Sequence, residues 1–436
     1  MNKIKVITII GANGTMGAQC AGLFAAFAKT KVYMLSRNIE KSKEGIEKAI
    51  RSIRTDTIRQ RLIPGEYDHD LNKSLYSSDM VLETLPEDYI LKRQVYRKIT
   101  GKIRPRTIIS TCSSGLSVDK LSKTLNKSER PYFFGLHLFN PPYKMILCEL
   151  VSHRESDNKV RLEFAEYLKR VLFRAVVFTR DTPGYIANRI GFQLMNEVAQ
   201  FSEKYKDLGG ISLLDQLIGR FTGRVMPPLV TLDFIGLDVY KAIVDNLYKY
   251  TNDHARSTFR LPSFIEKLIN KKKLGKKTGA GLFKYIKNPD GQIKILVYNI
   301  KKDTYQPHLT TPIAFIEEIK NKIFSGDYLA AMNIIKKAQG FEAGIVRYFL
   351  ARYISYSFSL VGTVVDSREM VDMAMAYGYN WIPPSALVDF LGGVRETVKL
   401  IDSAGLPVPF ILSREKESRN FYRLQQFLDA RSYIKN

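Results

Sequence analysis

Residues 132–153, YFFGLHLFNPPYKMILCELVSH, hold a histidine and a glutamate in a pattern suited to acid–base work. One apolar strand carries His137, a turn is built on Asn140, Pro141 and Pro142, and a return strand carries Glu149. If the strands pair about a turn centred near Tyr143, His137 and Glu149 fall opposite one another. A carboxylate so placed orients an imidazole and favours its protonated form. Such a pair is a general acid/base for an alcohol or a carbonyl. An apolar strand can equally bury a histidine purely for packing. The elements around the pair decide between the two.

The start of the chain supplies a reactant site. In ITIIGANGTMGAQCAGLF, residues 7–24, Gly11, Gly14 and Gly17 recur at three-residue spacing. Before them runs a β-branched strand, KVITIIG (5–11); after them an Ala-rich helix over Gly14 to Lys29, then a second strand, KVYMLS (31–36). Strand, glycine turn, helix and strand make a βαβ unit whose bare backbone lets a pyrophosphate lie on the helix N-terminus. Gly11, Gly14, Thr15, Met16 and Gly17 are the expected contacts, and a nicotinamide dinucleotide the expected ligand. The same turn would also serve an α/β protein without a cofactor. An acid about 20 residues beyond the glycines would hold the ribose 2′-hydroxyl of NAD. Ser36 and Arg37 stand there instead, with no carboxylate to repel a 2′-phosphate, so the choice between NAD and NADP stays open.

The sheet continues in DMVLETLPED (79–88) and RTIISTCSS (106–114), apolar strands that end in polar residues. Ligands of open α/β sheets bind at the carboxyl ends of strands, which places Glu87, Lys92, Cys112 and Ser114 near the nicotinamide. For Glu87 and Lys92 a surface ion pair is the plainer alternative.

Composition bounds the rest. The chain has 436 residues, 45% hydrophobic and 25% charged, with a net charge of +24. That length allows two to four domains, and the charge favours polyanionic ligands or a solvated basic exterior. Cys20, Cys112 and Cys148 show neither metal spacing nor a disulfide framework, so no metal and a reducing compartment are expected. MNKIK runs straight into a strand and no run is apolar enough for a membrane span, so the expected location is cytoplasmic. The basic run NKKKLGKKTG (270–279) lacks the interleaved aromatics of a single-strand binder, and no nucleic-acid partner is expected.

GLHLFNPP followed by LCELV, then DTPGYIANR (181–189) and LGKKTGAGLFKY (274–285), resembles the 3-hydroxyacyl-CoA dehydrogenase family in motif order and spacing across residues 5 to 285. The resemblance implies an NAD(P)-dependent oxidoreductase acting on a CoA thioester in fatty acid metabolism. It puts the family's base on His137, its orienting acid on Glu149, a substrate-contacting serine on Ser114 and a positioning asparagine on Asn188. Glu87 and Lys92 match family cofactor contacts. The departures are Cys112-Ser113-Ser114 for Asn-Thr-Ser, Ser36 for the ribose aspartate, and Met226-Pro227-Pro228 for Met-Gly-Pro. The arm over about residues 50 to 75 is shorter than in animal members, where it helps hold CoA.

Beyond residue 290 the sequence repeats itself. LLDQLIGRFTGRVMPPLVTLDFIG (213–236) aligns with MVDMAMAYGYNWIPPSALVDFLGG (370–393) across one gap, matching Asp215 to Asp372 and Asp233-Phe234 to Asp389-Phe390. Long helical stretches, 183–206 and 343–365, precede the two copies, and a polar segment near 287–311 joins them. The second copy has no asparagine between Arg347 and Ser359, so its role is expected to be structural.

The expected architecture is α/β plus all-α: a Rossmann-type doubly wound sheet over 1–182, a helical domain over 183–287 and a degenerate helical copy over 310–436. A second copy on the same chain favours a monomer or weak homodimer, since it fills the place of a partner subunit. Two alternatives are another Rossmann oxidoreductase acting on a small hydroxy acid and, from a different class, a catalytically silent binding or structural relative.

Overall fold

The computed structural model describes residues 4–288, 290–308, 312–414 and 421. Residues 310–311, 415–420 and 422–436 of the expected second helical copy lie outside the described residues. The chain forms two compact units, one of residues 1–185 with 364–366, the other of residues 186–363 with 367–436.

In the first unit the β-branched opening run becomes β1 (Val6–Ile10), and the Ala-rich run becomes α1 (Thr15–Phe27). The small residues of α1 let α2 (Ile39–Ile53) lie close, for a Cβ on Gly22 would stand 2.7 Å from Ile53 Cγ1. Between the two helices runs β2 (Lys31–Ser36). Asn38 starts α2 by accepting a hydrogen bond from Lys41 N–H, the role an N-cap asparagine fills.

The short arm after α2 holds β3 (Leu62–Glu66), which pairs with β2 as an edge strand, and α3 (Tyr67–Ser77). Then follow β4 (Met80–Glu83), α4 (Tyr89–Ile99), β5 (Ile108–Thr111), α5 (Val118–Ser122), β6 (Phe133–Leu138), β7 (Leu147–Ser152), α6 (Asn158–Arg170) and β8 (Ala175–Arg180). The sheet order is β3-β2-β1-β4-β5-β6-β7-β8. Every pair is parallel except β6 with β7. Order reverses beside β1, so the carboxyl ends of β1 and β4 border the crevice where doubly wound sheets bind ligands. Apolar side chains fill both faces of the sheet, with Ile7, Ile9 and Phe134 in one cluster and Ile10, Ile109 and Phe133 in the other. The doubly wound sheet is as expected. Residues 364–366 join this unit through Arg180, whose N–H donates to Val364 C=O at 2.8 Å and whose guanidinium binds Asp366 at 2.7 Å.

The second unit opens with α7 (Ala187–Lys204), followed by α8 (Ile211–Leu217), α9 (Pro228–Ile235), α10 (Leu237–Tyr250) and α11 (Ser263–Asn270). A three-stranded antiparallel sheet comes next, formed by β9 (Phe283–Lys287), β10 (Ile293–Asn299) and β11 (Thr304–Pro307). The segment near 287–311, expected to be a polar connection, is therefore largely strand. Its short apolar run ILVY is flanked by lysines, which hid the strand from a composition-based assignment.

The second copy supplies α12 (Ala314–Phe324), α13 (Tyr328–Lys337), α14 (Phe341–Ser359), α15 (Arg368–Tyr379), α16 (Pro384–Phe390), α17 (Val394–Ser403) and α18 (Phe410–Ser413). α9 and α16 each begin on the second proline of a Pro-Pro pair, the position where a missing N–H costs nothing. The matched Asp233 and Asp389 act alike. Asp233 accepts Leu282 N–H at 2.6 Å, and Asp389 accepts Phe421 N–H at 2.8 Å.

The copies pack within this one unit through α7, α14 and α15. Glu197 meets Arg352 at 2.9 Å and Tyr348 Oη at 2.7 Å, while Arg189 bonds Asp253 at 2.8 Å and Tyr356 at 3.1 Å. Phe201 stacks on Tyr348 at 5.2 Å. Among the described residues no helix is long and apolar enough to cross a membrane, and no group of side chains could hold a metal ion.

Candidate active site

His137 on β6 and Glu149 on β7 are directly opposed in the antiparallel register. His137 Nδ1 lies 2.5 Å from Glu149 Oε2, and Glu149 is fully buried. With Nδ1–H donating to the carboxylate, Nε2 carries the imidazole lone pair. The ring is walled by Phe139, 4.9 Å away, and Tyr185, 5.4 Å away. Tyr185 was not foreseen. Its hydroxyl donates to Ser113 C=O at 3.1 Å and so ties the histidine's wall to the loop after β5. Burial, then the nearby Asp181 and Glu87, push the phenol's pKa well above its usual range, so it stays protonated.

That loop carries Ser114. Glu87 gathers it, accepting from the Ser113 hydroxyl at 2.6 Å and from the backbone N–H of Ser114, Gly115 and Leu116 at 3.0, 2.7 and 3.1 Å. A hydrogen bond with Cys20 and desolvation push the Cys112 thiol well above its usual range, which makes it a packing group and no nucleophile.

Lys92 is no surface lysine. It is fully buried, with Nζ 2.7 and 2.9 Å from Glu83, 3.2 Å from Leu85 C=O and 3.8 Å from Glu87. The surface-pair alternative fails here because the carboxylate it needs is an unforeseen one. Glu83, at the buried end of β4, also accepts from Thr111 at 2.7 Å and Tyr96 at 3.1 Å. An acid closing an apolar strand in DMVLE was the available signal, and such acids are seldom buried unpaired.

The glycine loop has the shape a dinucleotide needs. Gly11 has φ +85°, and a Cβ on Gly17 would lie 2.5 Å from Gly11 C=O and 2.6 Å from Thr84 Oγ1. α1 starts at Gly14 with no side-chain cap and no acid in its first turn, leaving its N-terminal N–H groups to an anion. Gly14 and Thr15 are exposed and Met16 is half-buried. Tyr67, also unforeseen, accepts Gly11 N–H at 3.0 Å and braces the turn. Ser36 is buried and bonds Asn13 at 3.3 Å, while Arg37 is exposed.

Asn188 belongs to the other unit. It lies in the first turn of α7, buried, with its Oδ1 3.0 Å from Tyr379 Oη.

A doubly wound sheet with a glycine turn ahead of α1 and a ligand crevice beside β1 is the arrangement of a dinucleotide-binding domain. Residues 6–182 match the family described as 3-hydroxyacyl-CoA dehydrogenase, NAD binding domain, and residues 184–285 match 3-hydroxyacyl-CoA dehydrogenase, C-terminal domain. The chain belongs to the 3-hydroxyacyl-CoA dehydrogenase family and carries its NAD-binding domain.

A Bacillus subtilis protein named "Probable 3-hydroxyacyl-CoA dehydrogenase" is 24% identical over 96% of this chain and 55% of its own length. The chain thus spans about half the length of the first curated relatives it matches. The mitochondrial hydroxyacyl-coenzyme A dehydrogenase of Homo sapiens is 29% identical over 65% of this chain and 91% of its own. Among solved structures, 3-hydroxybutyryl-CoA dehydrogenase from Escherichia coli superposes with a TM-score of 0.69 over 96% of this chain and 97% of that one, at 20% identity. At that identity the likeness is one of fold.

Proposed function

We propose that the chain is an NAD-linked 3-hydroxyacyl-CoA dehydrogenase, interconverting 3-hydroxyacyl and 3-oxoacyl thioesters. The observation that carries the reading is the His137–Glu149 pair, set in register on β6 and β7 with Nδ1 2.5 Å from the carboxylate. When bound, the nicotinamide accepts or returns the hydride at the substrate's C3. Neutral His137 takes the C3 hydroxyl proton on Nε2, and Glu149 stabilises the imidazolium through Nδ1–H. Reduction starts from the imidazolium and returns that proton to the carbonyl oxygen. Ser114 and Asn188 are assigned to holding the substrate oxygen. Glu87 shapes the Ser114 loop, and Lys92 neutralises Glu83 beneath it. Gly11, Gly14, Thr15, Met16 and Gly17 hold the pyrophosphate, with Ser36 and Arg37 at the adenine ribose.

The second helical copy is assigned the place of a partner subunit, so the chain is read as a monomer or weak homodimer. The test follows nicotinamide absorbance with acetoacetyl-CoA, using NADH and NADPH in parallel and a free 3-oxo acid as control. Turnover of the thioester with NADH supports the reading. Turnover of the free acid alone points to a hydroxy-acid oxidoreductase, and no turnover of either points to a silent relative.

A further inference from the structure

We propose that Tyr379, from the second helical copy, is a positioning residue for Asn188 and hence for the reaction. The inference rests on the functional reading above. Tyr379 is the last residue of α15, and its phenol lies 3.0 Å from Asn188 Oδ1. A phenol donates to a carbonyl oxygen, so this bond fixes which arm of the amide is oxygen and which is nitrogen. With Oδ1 held, the NH2 arm points the other way, as a donor suited to a substrate oxygen.

Three features make the contact a built one. Gly191 lies one turn along α7 from Asn188, and a Cβ there would come within 2.5 Å of Tyr379 Cζ and 2.8 Å of its hydroxyl. Only a glycine leaves the notch through which the ring reaches the amide. Next, α15 stops at Asn380 in the left-handed conformation, φ 52°, which turns the chain immediately after the tyrosine. The following residues are then clamped to the first copy. Ile382 N–H donates to Gly223 C=O at 2.7 Å, and the Arg224 guanidinium lies over the Trp381 ring at 4.8 Å. Trp381 in turn packs on Tyr379 with 5.1 Å between ring centres. The second copy thus lost its own asparagine and presents a phenol to that of the first.

The experiment is a double-mutant cycle on the full chain with acetoacetyl-CoA and NADH. Tyr379→Phe keeps the ring packing and removes only the hydroxyl. It should lower kcat ~5- to 30-fold, the ratio expected for one lost hydrogen bond at a polar anchor. NADH affinity should be unchanged and the thermal midpoint within ~3 °C of the parent. Asn188→Ala should cost at least as much, and adding Tyr379→Phe to it should cost nothing further. Gly191→Ala, which must displace the ring, should reproduce the Tyr379→Phe loss without adding to it.

A Tyr379→Phe variant at parental kcat beside a slow Asn188→Ala overturns this proposal and leaves the functional reading intact. So does a full additive loss in the double variant. A parent chain that does not reduce acetoacetyl-CoA overturns both.

Discussion

The two helical copies kept different things. Each retains a Pro-Pro helix start and an aspartate that accepts a later backbone N–H, Asp233 from Leu282 and Asp389 from Phe421. Only the first retains an asparagine in the opening turn of its long helix. The second fills its facing surfaces with rings and a buried cation: Tyr348, Phe349, Arg352, Tyr356 and Tyr379 all meet α7 residues. The two copies thus share the residues that start and brace their helices, while the second differs in the rings and the cation it packs on α7. α7 shows the result, being buried along most of its length.

Removing the second copy is the most severe way to test that comparison. A chain ending at residue 300 should aggregate or dimerise, because the α7 face would be exposed with Glu197 stripped of Arg352 and Tyr348. Light scattering reads the outcome, and a well-behaved monomer would show that the second copy serves another purpose. A smaller break is Arg352→Met, which leaves Glu197 buried without its cation. Burial opposes the charge on Arg352, yet Glu197 and Tyr348 together outweigh it and raise the guanidinium's pKa. Losing one partner of such a pair costs about 3–5 kcal/mol, a large share of any domain's stability. Chemical denaturation should show it, and a loss near zero would mean that the copies touch without depending on each other.

The mildest test sharpens the comparison instead of breaking it. Burial raises the Asp233 carboxyl to about 6, although the N–H groups of Leu282 and Phe283 and the Tyr285 hydroxyl pull it down. An acid with a raised folded-state pKa binds more protons folded than unfolded, so its ionisation destabilises the fold as pH rises from about 4 to about 6. Asp233→Asn keeps an oxygen for the N–H groups and removes that penalty. The thermal midpoint of the variant minus that of the parent should therefore grow between pH 4 and pH 7. A difference that is flat across this range would show that Asp233 ionises there without cost to the fold.

Much of this was legible from residue types alone. The β-branched run, the glycines and the alanine-rich helix predict the first βαβ unit, and the turn at Tyr143 predicts the pairing of His137 with Glu149. The parts that were not legible depend on groups distant in sequence. Glu83 collects Lys92, Tyr96 and Thr111, up to 28 residues away, and nothing local distinguishes it from a strand-ending acid at the surface. Tyr379 reaches Asn188 across 191 residues, and only the notch at Gly191 explains why a ring fits there. β10 was hidden by the lysines beside its apolar run.

The central claim is that His137, oriented by Glu149, moves the proton while the bound nicotinamide exchanges the hydride. The most direct measurement compares the full chain with His137→Gln for NADH oxidation by acetoacetyl-CoA, with NADH affinity measured in both. The account predicts parental turnover, a loss of roughly 10²–10⁴-fold in the variant, and equal NADH affinity. A variant within threefold of the parent would contradict it, because the proton would then be moving through some other group.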